Sequence, residues 1–302
     1  MKIAIVVLNY NLKEATFACL GSLQSLNKGE NEIEIIVIDN NSEEDISKEI
    51  TQKFPEAVFL QSYDNFGYSG GNNLGIRKAL NDQADAVLVL NPDTEVDKDL
   101  ITELVKVLET DQKIGIVAPK IYFYPGFETH KDRYKKEDLG KIIWYAGGKF
   151  DAKNVLGSHT GVDEADRGQF DKISQTDFAT GAALLIKRDV FEKAGFFDEK
   201  YFLYLEDLDF SLRVKKRGFK ILFAPRAIVY HKNAQSTGLG SSKQDYFITR
   251  NRLLFGLKYS TVRTKFALMR ESLKFLLGPN STKRKAVIDF YLGKFGKGSL
   301  IK

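Results

Sequence analysis

Three groups of side chains in this 302-residue chain carry site-like chemistry. The first is Asn91-Pro92-Asp93, directly after the apolar run 86–90. A carboxylate at the end of a buried strand is a hard oxygen ligand suited to magnesium or manganese. The same three residue types are ordinary turn formers, so the turn alone assigns no function. The second is Glu206-Asp207-Leu208-Asp209, which opens a stretch of helical spacing. Three carboxylates in four residues suit a helix N-terminus, where the dipole favours negative charge, or a general base with acidic support. The apolar and aromatic flanks at 201–205 and 210–212 favour the base, because they describe a partly buried site. The third is His231, at the end of strand-like 228–230. A lone histidine is more often structural, and this one gains weight only if it meets Asp93 in space.

The segment 65–73, NFGYSGGNN, is glycine-rich and leads toward a helix. Glycine allows close backbone approach, and a following helix would offer its N-terminus to phosphate. No Gly-Lys-Ser/Thr follows, and the dinucleotide fingerprint G-x-G-x-x-G is absent, so a plain glycine-rich turn is the alternative.

Alternating elements must position these groups. Residues 3–8 and 86–90 are continuous apolar runs and 33–38 is apolar apart from Glu34, as in buried strands, and 57–61 is a shorter candidate. Helical spacing spans 12–26, 46–54, 72–80 and 99–108. This alternation predicts an α/β fold, a mostly parallel central sheet flanked by helices. Ligands of such sheets bind beyond the carboxyl ends of the strands. Asn9-Tyr10-Asn11, Asp39 and Asp93 all stand at such ends. Residues 125–175 read as a polar, loop-rich insertion around Trp144, Gly147 and Gly148. Order is expected again over 178–186, in helices at 189–194 and 206–217, and in separate strands at 220–223 and 228–230.

Composition narrows the classes. With 43% hydrophobic and 28% charged residues, a sizeable core is expected rather than disorder. A single cysteine, Cys19, excludes a disulfide framework and a cysteine zinc site. The sequence shows neither a signal-peptide pattern nor an apolar run long enough to span a bilayer, so the expectation is a cytoplasmic protein, soluble or peripheral on the inner face of the membrane. Net charge is +5 but uneven: 15 basic against 3 acidic residues from Lys232 onward, and 30 against 37 before it. Such a basic C-terminal extension suits a polyanion. It also carries helical apolar spacing at Val262, Phe266, Met269, Leu273 and Leu276, the pattern of a basic amphipathic helix at an anionic membrane surface. Packing on the body is the alternative.

In order, the motifs VVLNYN (6–11), VIDNNS (37–42), NFGYSGGNNLG (65–75), LNPDTEV (90–96), TGAALLIKRDVF (180–191), the segment 195–221 and AIVYH (227–231) resemble glycosyltransferase family 2. The pattern is most similar to bacterial rhamnosyltransferases within it. The resemblance covers roughly residues 2–235 and implies a GT-A (Rossmann-like) domain, nucleotide-binding up to about 120 and acceptor-binding beyond, followed by the basic helical extension 236–302. It implies a nucleotide-sugar donor (deoxythymidine- or uridine-diphosphate sugar), a glycan or polyprenyl-linked acceptor, and a divalent metal, Mg2+ or Mn2+. Asn9, Tyr10, Asp39, Asn65, Gly67, Asn72 and Asn91 would face the nucleotide, and Asp93 with His231 the metal. Asp207 would be the catalytic base of an inverting displacement. Gly147, Gly148, Thr180, Gly181 and Glu206 would shape the acceptor side. Asn91 stands where the family's metal-binding D-x-D has its first acid, which lowers local negative charge. Rhamnose is the favoured sugar, with galactofuranose or an N-acetylhexosamine as alternatives.

Two other classes fit less of the sequence. A nucleotidyltransferase would carry a basic, glycine-rich signature after the first strand, where Asn9-Tyr10-Asn11 stands instead. A nucleic-acid binder would explain the basic tail but not the acidic body, and no recognised binding motif is present, so no nucleic-acid partner is expected.

Overall fold

The computed structural model describes residues 1–232 and 240–301. Strands are β1 (Lys2–Asn9), β2 (Glu32–Asp39), β3 (Ala57–Gln61), β4 (Ala86–Leu90), β5 (Thr94–Val96), β6 (Ile114–Phe123), β7 (Ile143–Tyr145), β8 (Gly148–Asp151), β9 (Leu156–His159), β10 (Ser174–Gln175), β11 (Ala183–Lys187) and β12 (Lys220–His231). The α-helices are α1 (Lys13–Leu23), α2 (Ser47–Lys53), α3 (Gly67–Asn81), α4 (Leu100–Leu108), α5 (Arg188–Ala194), α6 (Glu206–Lys216), α7 (Ser242–Tyr259), α8 (Val262–Leu277) and α9 (Ser281–Tyr291).

The main sheet runs in the order β10-β12-β6-β11-β4-β1-β2-β3, with β5 added to β12 and β7 to β6. β3, β2, β1 and β4 pair in parallel, as do β6 and β12. β11 is inserted antiparallel between β4 and β6. The apolar strands are buried because helices cover the sheet; Ile3 to Val7 and Ala86 to Val89 have no exposed surface.

Three local readings change in the structure. The glycine-rich segment is not a loop leading to a helix at 72: α3 already begins at Gly67. Its glycines let the helix lie close on β1. A Cβ at Gly75 would come 2.4 Å from a methyl of Val6, and one at Gly71 would come 2.5 Å from Leu8. The two short strands around Pro225 are one strand, β12, whose register shifts between Ala224 and Ile228. The irregularity accommodates a proline that has no N–H for the ladder. Residues 114–123, unassigned from sequence, form β6, where Pro119 and Lys120 interrupt an apolar run. The Lys120 ammonium is buried against Asp166 at 2.7 Å and Asp171 at 2.9 Å, both from the insertion.

The expected boundary at 235/236 lies outside the described residues. Beyond it, α7 and α9 pack on the body. One apolar cluster joins Phe178, Tyr201 and Leu208 to Leu253, Phe255 and Val287, and another joins Phe202 to Tyr246, Phe247 and Ala286. Asp209, fully buried in α6, ties the two parts together. It accepts from Arg213 Nε (2.7 Å), Lys258 Nζ (2.6 Å), Tyr259 Oη (2.8 Å) and Tyr201 Oη (3.2 Å). Asp209→Ala leaves two cations and two hydroxyls without their shared partner and is expected to cost about 3 kcal/mol, measured by urea unfolding.

Candidate active site

A cavity of about 340 Å³ opens at the carboxyl end of the central strands. Its wall includes Tyr10, Asn65, Gly67, Asn91, Asp93, Thr180, Gly181, Glu206, Asp207 and His231. Residues chosen from sequence at separations up to 221 positions thus meet at one site.

Strand pairing explains the meeting. The turn after β4 is fixed from two sides. Asn91 N–H donates to Ala182 O at 2.9 Å, and Lys232 N–H donates to Asp93 O at 2.8 Å. The first bond follows from the antiparallel pairing of β11 with β4, the second from that of β5 with the end of β12. In the latter register His231 sits opposite Thr94, and its Nε2 lies 3.1 Å from Asp93 Oδ1. Both side chains are buried except where they meet the cavity. Beneath the turn, Cys19 is fully buried, and burial pushes its thiol up to about 12, so it stays protonated and inert.

Asp207 enters from the first turn of α6. Its Oδ2 accepts from Gly181 N–H at 2.9 Å and its Oδ1 from Leu208 N–H at 2.8 Å. Burial raises its pKa, while those backbone donors pull the other way. Glu206 is pushed well above the usual carboxylate range, first by burial and then by the charge of Asp207. Its Oε2 is buried without a hydrogen-bond partner, although Glu206 lines the cavity. The site therefore pairs Asp207, whose carboxylate is met by two backbone donors, with a Glu206 whose charged form burial disfavours more strongly.

The chain before these carboxylates is unusual. Phe202, Tyr204 and Leu205 all have positive φ, a conformation that non-glycine residues rarely adopt. Hydrogen bonds from α7 hold it. Asn251 Nδ2 lies 2.7–2.9 Å from the carbonyl oxygens of Tyr201, Leu203 and Tyr204. Arg250 donates to the carbonyls of Lys200, Tyr201 and Gly296. The basic extension is thus part of the site's frame, and its Lys243, Gln244, Phe247 and Ile301 line the cavity.

Other expected residues do not reach the cavity wall. Asn9 and Asp39 bond each other at 2.6 Å and lock the ends of β1 and β2. Asp39 also accepts from Ser42 N–H and Gln61 Nε2, each at 2.8 Å. Asn72 is buried within α3 and donates to Tyr68 O. Gly147 and Gly148 lie behind the wall, where Gly148 N–H bonds Thr176 Oγ1 at 2.6 Å. Conversely, Asn40, Tyr68, Trp144 and His159 line the cavity, although the sequence named none of them as a site residue. Asn40 adjoins Asp39 in the motif, and its amide bonds Asn65 Oδ1 and Gly67 O. Tyr68 donates to Gly181 O at 2.6 Å. Trp144 packs its ring edge-on against both His159 and His231. Burial lowers His159 to about 4, so it is neutral at pH 7.

Among the described residues no group of three or more His, Cys, Asp or Glu side chains can hold a metal. Asp93 and His231 offer one carboxylate and one imidazole at the cavity wall, the carboxylate a donor for magnesium or manganese and the imidazole one for transition metals. Two such donors would leave most of a cation's coordination positions open to other ligands.

A sequence profile described as "Glycosyl transferase family 2" matches residues 4–195. The chain is 29% identical over 256 residues to the low-salt glycan biosynthesis hexosyltransferase Agl10 of Haloferax volcanii, covering 83% of this chain and 74% of that protein. It is 25% identical over 217 residues to the N-acetylglucosaminyl-diphospho-decaprenol L-rhamnosyltransferase of Mycobacterium tuberculosis, covering 69% of each. Among solved structures, GalNAc-T7 with UDP, GalNAc and Mn2+ superposes with a TM-score of 0.63 at 17% identity, covering 89% of this chain and 54% of that one. S. aureus TarS 1-349 in complex with UDP gives 0.56 at 15% identity, covering 96% and 79%. At these identities the superpositions speak for the fold.

Gly67 shows how tightly this site is framed. Its φ is +69°, and a Cβ there would lie 2.4 Å from the Phe202 carbonyl oxygen. Gly126 has φ +88° but open space around it. Both alanine variants bear backbone strain, and Gly67→Ala is expected to lose about 1–3 kcal/mol more than Gly126→Ala in denaturant unfolding.

Proposed function

The chain belongs to glycosyltransferase family 2 and has its GT-A fold, and we propose that it transfers a sugar, with inversion, from a nucleoside-diphosphate donor to a glycan hydroxyl. The observation that carries this reading is the convergence of Asp93, His231 and Asp207 on one cavity. Tyr10, Asn65, Gly67 and Asn91 bind the nucleotide side; Asn9 and Asp39 act from behind by fixing the strand ends that carry Tyr10 and Asn40. Asp93 and His231 would hold a divalent cation, which when bound neutralises charge on the diphosphate.

The Asp207 carboxylate takes the proton of the acceptor hydroxyl. That oxygen bonds to the anomeric carbon as the carbon–oxygen bond to the diphosphate breaks, and the nucleoside diphosphate leaves. The Gly181 and Leu208 N–H groups orient the carboxylate. Protonated Glu206 offers a hydrogen bond to a sugar or acceptor oxygen. Rhamnose is the proposed sugar, and a polyprenyl-linked glycan the proposed acceptor, on the strength of the rhamnosyltransferase similarity. Thr180 and Gly181, which line the same cavity, would shape the acceptor side.

Asp207→Asn is expected to lower transfer by about 10²–10⁴ while donor binding, by calorimetry, stays near wild type. Full activity in this variant would refute the base assignment. Because burial raises the Asp207 pKa, the acid limb of kcat/KM should fall at a pH above the ordinary aspartate value of about 3.9. The same shift has a stability consequence. A carboxyl group whose folded pKa is raised favours the fold below its unfolded pKa, and that contribution is lost as pH rises through the folded pKa. At pH 7 the Asp207 carboxylate therefore contributes less to stability than its protonated form does at low pH.

Asp93→Ala and His231→Ala should each weaken Mn2+ binding in the presence of nucleoside diphosphate by roughly 10–100-fold, read by titration calorimetry. Unchanged Mn2+ affinity in both variants would remove the metal assignment.

A further inference from the structure

The extension does two things at once. α7 and α9 are built into the body, but α8 turns an apolar face to solvent. Val262 (69% exposed), Phe266 (69%), Met269 (46%), Leu273 (57%) and Leu277 (90%) all stand free of the core. At about 100° per residue they fall within roughly 80° of arc, a single stripe four turns long. Leu276, expected in that stripe, packs inward instead, and Leu277 takes the outer position. Tyr291 of α9 is half exposed and reaches Ser272 of α8 at 2.8 Å, which brings a further apolar ring beside the stripe.

Basic residues border it. By the same helical count, Arg263, Arg270 and Lys274 lie along one edge and Lys265 along the other. The only acid of α8, Glu271, lies on the far side and is paired with Arg252. A soluble surface seldom leaves such a contiguous apolar face uncovered. Pairing two copies through it would set basic borders against each other with no acid between them. An anionic lipid interface satisfies both features, taking the apolar side chains among acyl chains and the cations among headgroups. Among the described residues no helix is long and apolar enough to cross a membrane, so attachment through α8 would be peripheral. We propose that the α8 stripe docks this protein on an anionic membrane surface, with α8 lying in the interface plane.

The test is flotation of the full chain with vesicles of phosphatidylcholine alone or with about one-third phosphatidylglycerol. Wild type is expected to float with the anionic vesicles, and less so at about 0.5 M salt. Phe266→Glu with Leu273→Glu should reduce the bound fraction by about tenfold or more. Arg270→Glu with Lys274→Glu should reduce it on anionic vesicles. Both pairs are exposed and remote from the cavity wall, so circular dichroism and nucleotide binding should match wild type. Absence of wild-type flotation, or equal flotation of the Phe266/Leu273 variant, would overturn the proposal. So would a wild-type dimer in light scattering that this variant dissolves without any vesicle binding. Retention on polyuridylate that needs the basic but not the apolar residues would assign the surface to nucleic acid instead.

Discussion

The turn after β4 is held by main-chain hydrogen bonds from two strands that arrive from far along the chain, and the site takes its shape from that clasp. β11 binds the turn through Ala182, and the end of β12 binds it through Lys232. Each contact brings its own chemistry. β11 delivers Gly181, whose N–H aims Asp207, and β12 delivers His231 to Asp93. Backbone pairing fixes these positions without relying on flexible side chains. Inserted antiparallel between β4 and β6, β11 brings its start to the carboxyl end of β4.

A second constraint is strain. Three residues in left-handed conformation precede Glu206 and Asp207, and the hydrogen bonds that hold them come from Arg250 and Asn251 in α7. Gly67 gives way to the same segment by having no side chain. The C-terminal helices thus serve the site as a brace. The buried Asp209 cluster performs the matching task one turn further along α6, joining it to Lys258 and Tyr259. With α7 and α9 packed on the body, α8 still turns an apolar stripe outward.

Protonation follows from the same burial. Neighbouring carboxyl groups in one low-dielectric wall cannot both hold full charge at little cost. Glu206 is pushed well above its usual range, in part by the Asp207 charge, while Asp207 is eased by two backbone donors. His159 and Cys19 are kept neutral by burial.

The sequence by itself determined the strand ends. Apolar runs closed by polar turns are local patterns, so β1, β2 and β4 and the polar residues behind them were legible, and the order of motifs carried the family. The glycine-rich segment was legible as important but not in role, because only the position of β1 shows that Gly71 and Gly75 make room for a helix. Tertiary structure alone decided which polar groups face the cavity. Asn9 and Asp39 spend their hydrogen bonds on each other and on neighbouring turn residues, whereas Asn40, Tyr68 and His159 reach the wall. It also decided that His231 meets Asp93 across 138 residues, and that Leu276 turns inward while Leu277 does not. The physical reason is range: hydrophobic periodicity is written over a few neighbouring residues, but burial, protonation and the lining of a cavity depend on contacts between segments far apart in the chain.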